Sequence, residues 1–347
     1  MKYIATTPST TLRYVTRFAM LNRLSLSNKF ISTPVMIFYI IYYYVIILSM
    51  NDIKQLAIIG STASGKTALS IATAKKINAY ILSLDSLSIY KEIDIVSAKP
   101  TLTERDGIKH FGIDEIYPNE PFSVQTFIEL YQKVYQKCQD DSKSLVIVGG
   151  TSFYLKMLLD GISPLPAIST QTTNDTLSIL TNLKEAYSLL QKIDPIYAKH
   201  IKPNDRYRIQ KALEIYLQTN TIPSQYFQDN PPIPYIKGDI DIYEIVWQRD
   251  EIRDRIKQRT RMMIEDGVID EVAYLECKYT REPNCMKAIG IKECLDYLDG
   301  RLTKQELEDK ISTNTARLAK RQKTFNNSQF GKVIKKSLDD LYKLLVK

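Results

Sequence analysis

From residue 53 onward the apolar positions keep switching between two spacings. The runs "KQLAIIG" (54–60), "AYILSLDS" (79–86) and "SLVIVGG" (144–150) are apolar nearly throughout, as expected of strands covered on both faces. Between them the spacing is helical. "TALSIATAKKI" follows the first run, and "FSVQTFIELYQKVYQKC" puts Val124, Phe127, Ile128, Tyr131, Val134, Tyr135 and Cys138 on one face behind Ser123 as N-cap. Alternating buried strands and helices predict an α/β fold, a P-loop-type parallel sheet with helices on both faces.

The pattern changes after Pro164 and Pro166. Residues 174–219 are spaced as helices, with Leu177, Leu180, Leu183, Tyr187 and Leu190 in phase before a break at Asp194-Pro195. The proline-rich stretch "NPPIPYIKGD" then leads to "IYEIVWQ", read as a returning strand. Helices follow over 250–266, 269–278 and 303–323, the last opened by a capping box from Thr303 to Glu306. The predicted organisation is a core of 51–165 and 240–347 interrupted by a helical insertion lobe and linker, 166–239.

Residues 1–50 form a leader of different character. It carries five basic side chains, no acid, and the 14-residue apolar run Val35–Leu48 with four tyrosines. That run is short of the roughly 20 residues needed to span a bilayer. A signal anchor, a cleaved transit leader and sequence upstream of a true start at Met50 are the three readings; the last is expected, because the first strand begins within a few residues of Met50. The formal charge of the whole chain is +8, so setting the leader's five cations aside leaves about +3, a weak electrostatic argument for a polyanionic partner. The four cysteines form no Cys-x-x-Cys pair, and with His110 and His200 they make no familiar zinc set; they read as reduced cytosolic thiols, mostly packing residues.

The chemistry is concentrated in a few short stretches. "GSTASGKT", Gly60, Ser61, Thr62, Ala63, Ser64, Gly65, Lys66 and Thr67, sits between a strand and a helix, the context that makes the phosphate-cradling motif specific. Its N–H groups and Lys66 hold phosphate oxygens, and the Thr67 hydroxyl joins the shell of a magnesium ion. The motif calls for a diphosphate or longer chain and does not require ATP. Asp85, at the end of the second strand, can hold magnesium through water, accept a proton from an acceptor substrate, or merely cap a turn. Thr151, after Gly149-Gly150, is either an N-cap or a ligand contact. Arg317, Lys320 and Arg321 share a helical face and supply supporting cations, Arg206, Arg208 and Lys211 make a second cluster, and the basic run 249–261 reads as a solvated face.

The ordered blocks "GSTASGKT", "LSLDSLSIYKEIDIVSAKPT", "HFGIDEIYPNEPFSVQTF", "VIVGGTSFYLKMLLDGISPLP", "PNDRYRIQKALEIYLQT", "RMMIEDGVIDEV", "KAIGIKECLDYLDG" and "ARLAKRQKTF" resemble the tRNA dimethylallyltransferase family from about Ile53 to Phe325. The resemblance implies transfer of a dimethylallyl group from dimethylallyl diphosphate to N6 of adenosine 37 in the tRNA anticodon loop, with magnesium as cofactor and pyrophosphate released. It implies Asp85 as the base and Thr151 as a contact near the target base. It further assigns Asp85, Ser86, Leu87 and Ser88, and Tyr207, Arg208, Ile209, Gln210 and Lys211, to the tRNA surface. Thr173 stands where the family has an arginine, and Phe325 and Asn327 stand for a tryptophan and an arginine, so two cationic contacts are missing. A monomeric cytoplasmic enzyme without stable membrane association is expected. The alternatives are an adenylate isopentenyltransferase, a small-molecule P-loop kinase and a membrane-tethered nucleotide-binding protein.

Overall fold

The computed structural model describes residues 53–238 and 240–347. The leader, with its apolar run and the expected start at Met50, lies outside the described residues.

The sheet is built from β1 (Gln55–Gly60), β2 (Ala79–Ser83), β3 (His110–Phe111), β4 (Ser144–Gly149), β5 (Asp241–Ile245) and β6 (Ile334–Lys336). Every pairing is parallel, and the spatial order is β3-β2-β4-β1-β5-β6. Helices α1 (Lys66–Lys76), α2 (Leu102–Arg105), α3 (Val124–Asp140) and α4 (Ser152–Asp160) connect and follow the first four strands. The alternation within β1 shows why both sheet faces must be covered. Ala57 and Ile59 pack with Phe127, Ile128 and Leu155 of α3 and α4, whereas Leu56 and Ile58 pack with Leu69 and Ala74 of α1.

A neck interrupts this core. Ile162 bridges Ile233, and the N–H groups of Tyr235 and Ile236 both donate to the Leu158 carbonyl, so the chain leaves and re-enters at one place. Gly161 sits there at φ +82, and a Cβ on it would lie 2.2 Å from the Ile233 backbone, so only glycine fits. Beyond the neck are α5 (Thr170–Ile179), α6 (Leu183–Ile193), α7 (Pro195–Ala198), α8 (Arg206–Thr219) and α9 (Pro223–Asp229). Their own core holds Leu180, Ala186, Leu190, Ile209, Ala212 and Leu213. The break at Asp194 is functional in folding terms: its carboxylate caps α7 through Tyr197 N–H (2.8 Å) and accepts from Ser224 N–H (2.6 Å). Leu177 corrects the sequence reading, since 44% of it is exposed; the buried face of α5 runs through Thr172, Thr176 and Leu180, and Leu177 sits about 100° round the helix from Thr176.

After β5 come α10 (Arg249–Glu265), α11 (Val268–Tyr279), α12 (Ile291–Leu298), α13 (Lys304–Gln329) and α14 (Leu338–Leu345). The capping box at Thr303 is present, and α13 runs past residue 323 to Gln329. Cys138, Cys285 and Cys294 are buried free thiols and Cys277 an exposed one. Among the described residues no helix is long and apolar enough to cross a membrane.

Candidate active site

The loop between β1 and α1 turns tightly enough to aim its N–H groups inward because Ala63 and Gly65 adopt φ of +60 and +90. The first-turn N–H groups of α1 have no partner within their helix, and with the helix dipole they form an anion cradle. Residues 62 to 64 of this loop are tied to distant parts of the chain. The Thr62 N–H donates to Gln322 Oε1 at 3.0 Å and its Oγ1 accepts from Arg259 at 3.2 Å. The carbonyls of Ala63 and Ser64 accept from Arg255 Nε (2.8 Å) and Trp247 Nε1 (3.0 Å). Arg255 also stacks on the Trp247 ring at 4.6 Å. Lys66 Nζ folds back onto the Ser61 carbonyl at 2.5 Å.

Half-buried Lys66 and Arg259 crowd one another at the cavity wall. Burial, and then the Arg259 guanidinium, push the Lys66 ammonium down to about 7, against an opposing pull from Asp85. Burial also lowers Arg259, again opposed by Asp85. The negative charge of a phosphate chain would relieve the repulsion between these cations.

The loop opens into a cavity of about 770 Å³ whose lining includes Asp85, Thr151, Arg259, Met263, Ile289 and Gln322. Asp85 follows β2 and accepts through Oδ1 from the N–H groups of Leu87 (2.8 Å) and Ser88 (3.3 Å). The turn-capping role is thus real, and it uses one carboxylate oxygen only. Thr151 occupies the N-cap position of α4, at φ −88 and ψ 67, yet its side chain makes no capping bond. Its hydroxyl is left for the cavity. Gly149 permits the strand ends to meet, since a Cβ there would fall 2.6 Å from that of Leu84.

The sequence-derived residues divide into those that meet in this cavity and those that do not. The loop from Thr62 to Thr67, Asp85, Ser86, Leu87, Ser88 and Thr151 all line it. Thr173 lies on α5, its hydroxyl bonded to the Ser169 carbonyl at 3.2 Å. Tyr207, Arg208, Gln210 and Lys211 lie on α8 of the lobe, Tyr207 being 68% exposed. Ile209 is a correction: its side chain is fully buried in the lobe core and cannot touch a ligand. Arg317, Lys320 and Arg321 are exposed on α13, while the cavity receives Thr315, Leu318 and Gln322 from the neighbouring stripe of that helix. Phe325 packs edge-on against Phe153 and Phe330, and Asn327 accepts a hydrogen bond from Lys335, which brings a cation beside a position where the resemblance expects arginine.

Sequence reading missed Arg255, Arg259, Trp247 and Gln322. The 249–261 run is not simply a solvated face: Arg255 and Arg259 stand four apart beside the inward residues Ile256, Thr260 and Met263, and that spacing was the available signal. Nothing local marks Gln322, which reaches Thr62 across 260 positions.

Comparison with known proteins shows the family. Residues 88–329 match the IPP transferase family. A tRNA dimethylallyltransferase of Sulfurovum sp. is 58% identical over 298 residues, 86% of this chain and 99% of that protein. One from Helicobacter pylori is 42% identical over 85% of this chain and 93% of its own length. Among solved structures, the full-length tRNA isopentenylpyrophosphate transferase of Bacillus halodurans superposes with a TM-score of 0.62 at 30% identity, covering 85% of this chain and 95% of that one. A eukaryotic dimethylallyltransferase acting on tRNA gives 0.73 at 26% identity, over 84% and 76% of the two chains. The chain therefore belongs to the tRNA dimethylallyltransferase family.

Proposed function

We propose that this protein transfers a dimethylallyl group from dimethylallyl diphosphate to N6 of adenosine 37 in a tRNA anticodon loop and releases pyrophosphate. One observation carries the reading: a cationic phosphate cradle and a carboxylate, Asp85, share a single cavity large enough for a prenyl diphosphate and a flipped base. The bond from the first prenyl carbon to the diphosphate oxygen breaks as N6 bonds to that carbon, and the N6 proton passes to Asp85. Lys66, Arg259 and the α1 N–H groups take up the charge that collects on the departing pyrophosphate. Met263, Ile289 and Leu318 supply apolar wall that keeps water from a reactive carbon.

Magnesium fits this site as a companion of the diphosphate. Thr67 is exposed to the cavity, and among the described residues no group of three His, Cys, Asp or Glu could hold an ion alone. Thr67 would be its protein ligand, and the ion would add positive charge at the pyrophosphate. A monomeric, cytoplasmic enzyme completes the reading.

The test uses the purified chain with magnesium, labelled dimethylallyl diphosphate, and two acceptors in parallel: an unmodified tRNA with adenosines at 36 to 38, and free AMP. Label in tRNA at position 37 is expected. Label in AMP alone would replace the acceptor, and no label in either, with turnover of ATP supplied in a separate reaction, would replace the reaction.

A further inference from the structure

We propose that Gln322 is a specificity-determining residue that closes the phosphate loop to a third phosphate. The proposal deepens the reading above, in which the loop holds a diphosphate ester. A phosphate chain binds a loop of this type from the helix outward: the N–H groups at the start of α1 take the nearest phosphates, and a longer chain extends toward the leading edge of the loop. Thr62 is at that leading edge. Its N–H is already given to Gln322 Oε1 at 3.0 Å, so a third phosphate would lose that donor and face a carbonyl-type oxygen in its place.

The amide is wedged in position. A Cβ on Gly150 would stand 2.5 Å from Gln322 Nε2, so the glycine after β4 is what lets this side chain lie between the two loops. One helical turn further on, buried Asn326 donates to Glu244 Oε1 of β5 at 2.8 Å and fixes α13 against the sheet. The loop cannot retreat to make room, because Arg259, Arg255 and Trp247 hold Thr62, Ala63 and Ser64 from the far side. Room for two phosphates and a blocked third position make a loop that rejects nucleoside triphosphates while using their binding motif.

The experiment measures binding of inorganic pyrophosphate and of tripolyphosphate, each with magnesium, to the purified full chain by calorimetry. The natural protein should prefer pyrophosphate by at least about tenfold. Gln322→Ala should shrink that preference about tenfold or more, mainly by tightening tripolyphosphate. Gln322→Asn, one methylene too short to reach Thr62, should behave alike and serves if the alanine variant fails to fold. Gln322→Glu, which keeps the acceptor and adds charge, should weaken both anions and retain the preference. Equal binding of the two anions by the natural protein, or an unchanged ratio in both shortened variants, would overturn the proposal. Neither result depends on whether label enters tRNA, so failure here is distinct from failure of the prenyl-transfer reading.

Discussion

The phosphate cleft and the helical lobe both carry basic residues, and they use them in opposite ways. In the cleft, burial lowers both Lys66 and Arg259, and the Arg259 charge lowers Lys66 further; Arg259 reaches Thr62 across 197 positions, while Lys66 folds back onto the Ser61 carbonyl of its own loop. On the lobe, exposed Arg208 lies 3.5 Å from the N-cap residue Asp205 and one-third-exposed Lys211 lies 2.7 Å from buried Glu214, each pair local to one helix. A crowded, half-buried charge is set by the neighbours that hold it; an exposed charge on a self-contained helix contributes a screened, nearly independent increment. Substitutions should therefore give large, specific effects in the cleft and small, salt-sensitive ones on the lobe.

The largest effect is expected at Asp85. Asp85→Asn keeps an oxygen for the Leu87 and Ser88 N–H groups, so the turn survives while the base is lost. Turnover should fall by about 10²- to 10⁴-fold, and donor affinity should hold or improve, since a negative charge leaves an anion site. Single-turnover transfer into tRNA checks it; near-normal turnover would put the base elsewhere.

Arg259→Ala comes next. It removes the Thr62 partner that we propose also meets the diphosphate, and donor affinity should drop about ten- to a hundredfold, the value of one charge-assisted hydrogen bond. Pyrophosphate titration reads this directly. If the affinity is unchanged, the crowding of cations is structural and the contrast between the two regions fails.

Proton linkage sharpens the same point. In the free protein Lys66 is held at about 7, so above that pH most of it is neutral. A bound diphosphate favours the ammonium, and binding should take up as much as one proton near pH 8. Affinity should then weaken with rising pH above about 7, by at most tenfold per unit. Calorimetry in buffers of different ionisation enthalpy measures the uptake, and Lys66→Met should abolish it. Equal uptake by both proteins would refute the linkage.

How much of this was legible beforehand follows from where the forces act. β1, β2 and β4 were readable because each is a central strand whose apolar run reflects burial on both faces. β3 has two residues and β6 reads Ile-Lys-Lys with every position exposed, so neither leaves a hydrophobic trace. Asp85, Thr151 and the loop were found because their chemistry is local to a strand end. Gln322 and Trp247 were not, since their meaning depends on residues some two hundred positions away; Arg259 reaches as far, and its inward helical spacing was the one local trace it left. Ile209 and Leu177 show the converse error: a linear segment was given one role, and the helix turned neighbouring residues to opposite environments.

The smallest effects are expected from exposed cations, and they test the contrast from its weak side. Arg208→Ala on the lobe and Arg321→Ala on α13 leave the cradle untouched, because neither side chain lines the cavity. Pyrophosphate affinity should therefore stay within about twofold, while the KM for tRNA rises a few-fold and the slope of binding against salt falls by about one for each cation removed. Turnover at saturating tRNA should not change. If Arg321→Ala instead weakens pyrophosphate as strongly as Arg259→Ala, the exposed stripe of α13 reaches the donor after all. The division between buried chemistry and screened capture would then have to be redrawn within that one helix.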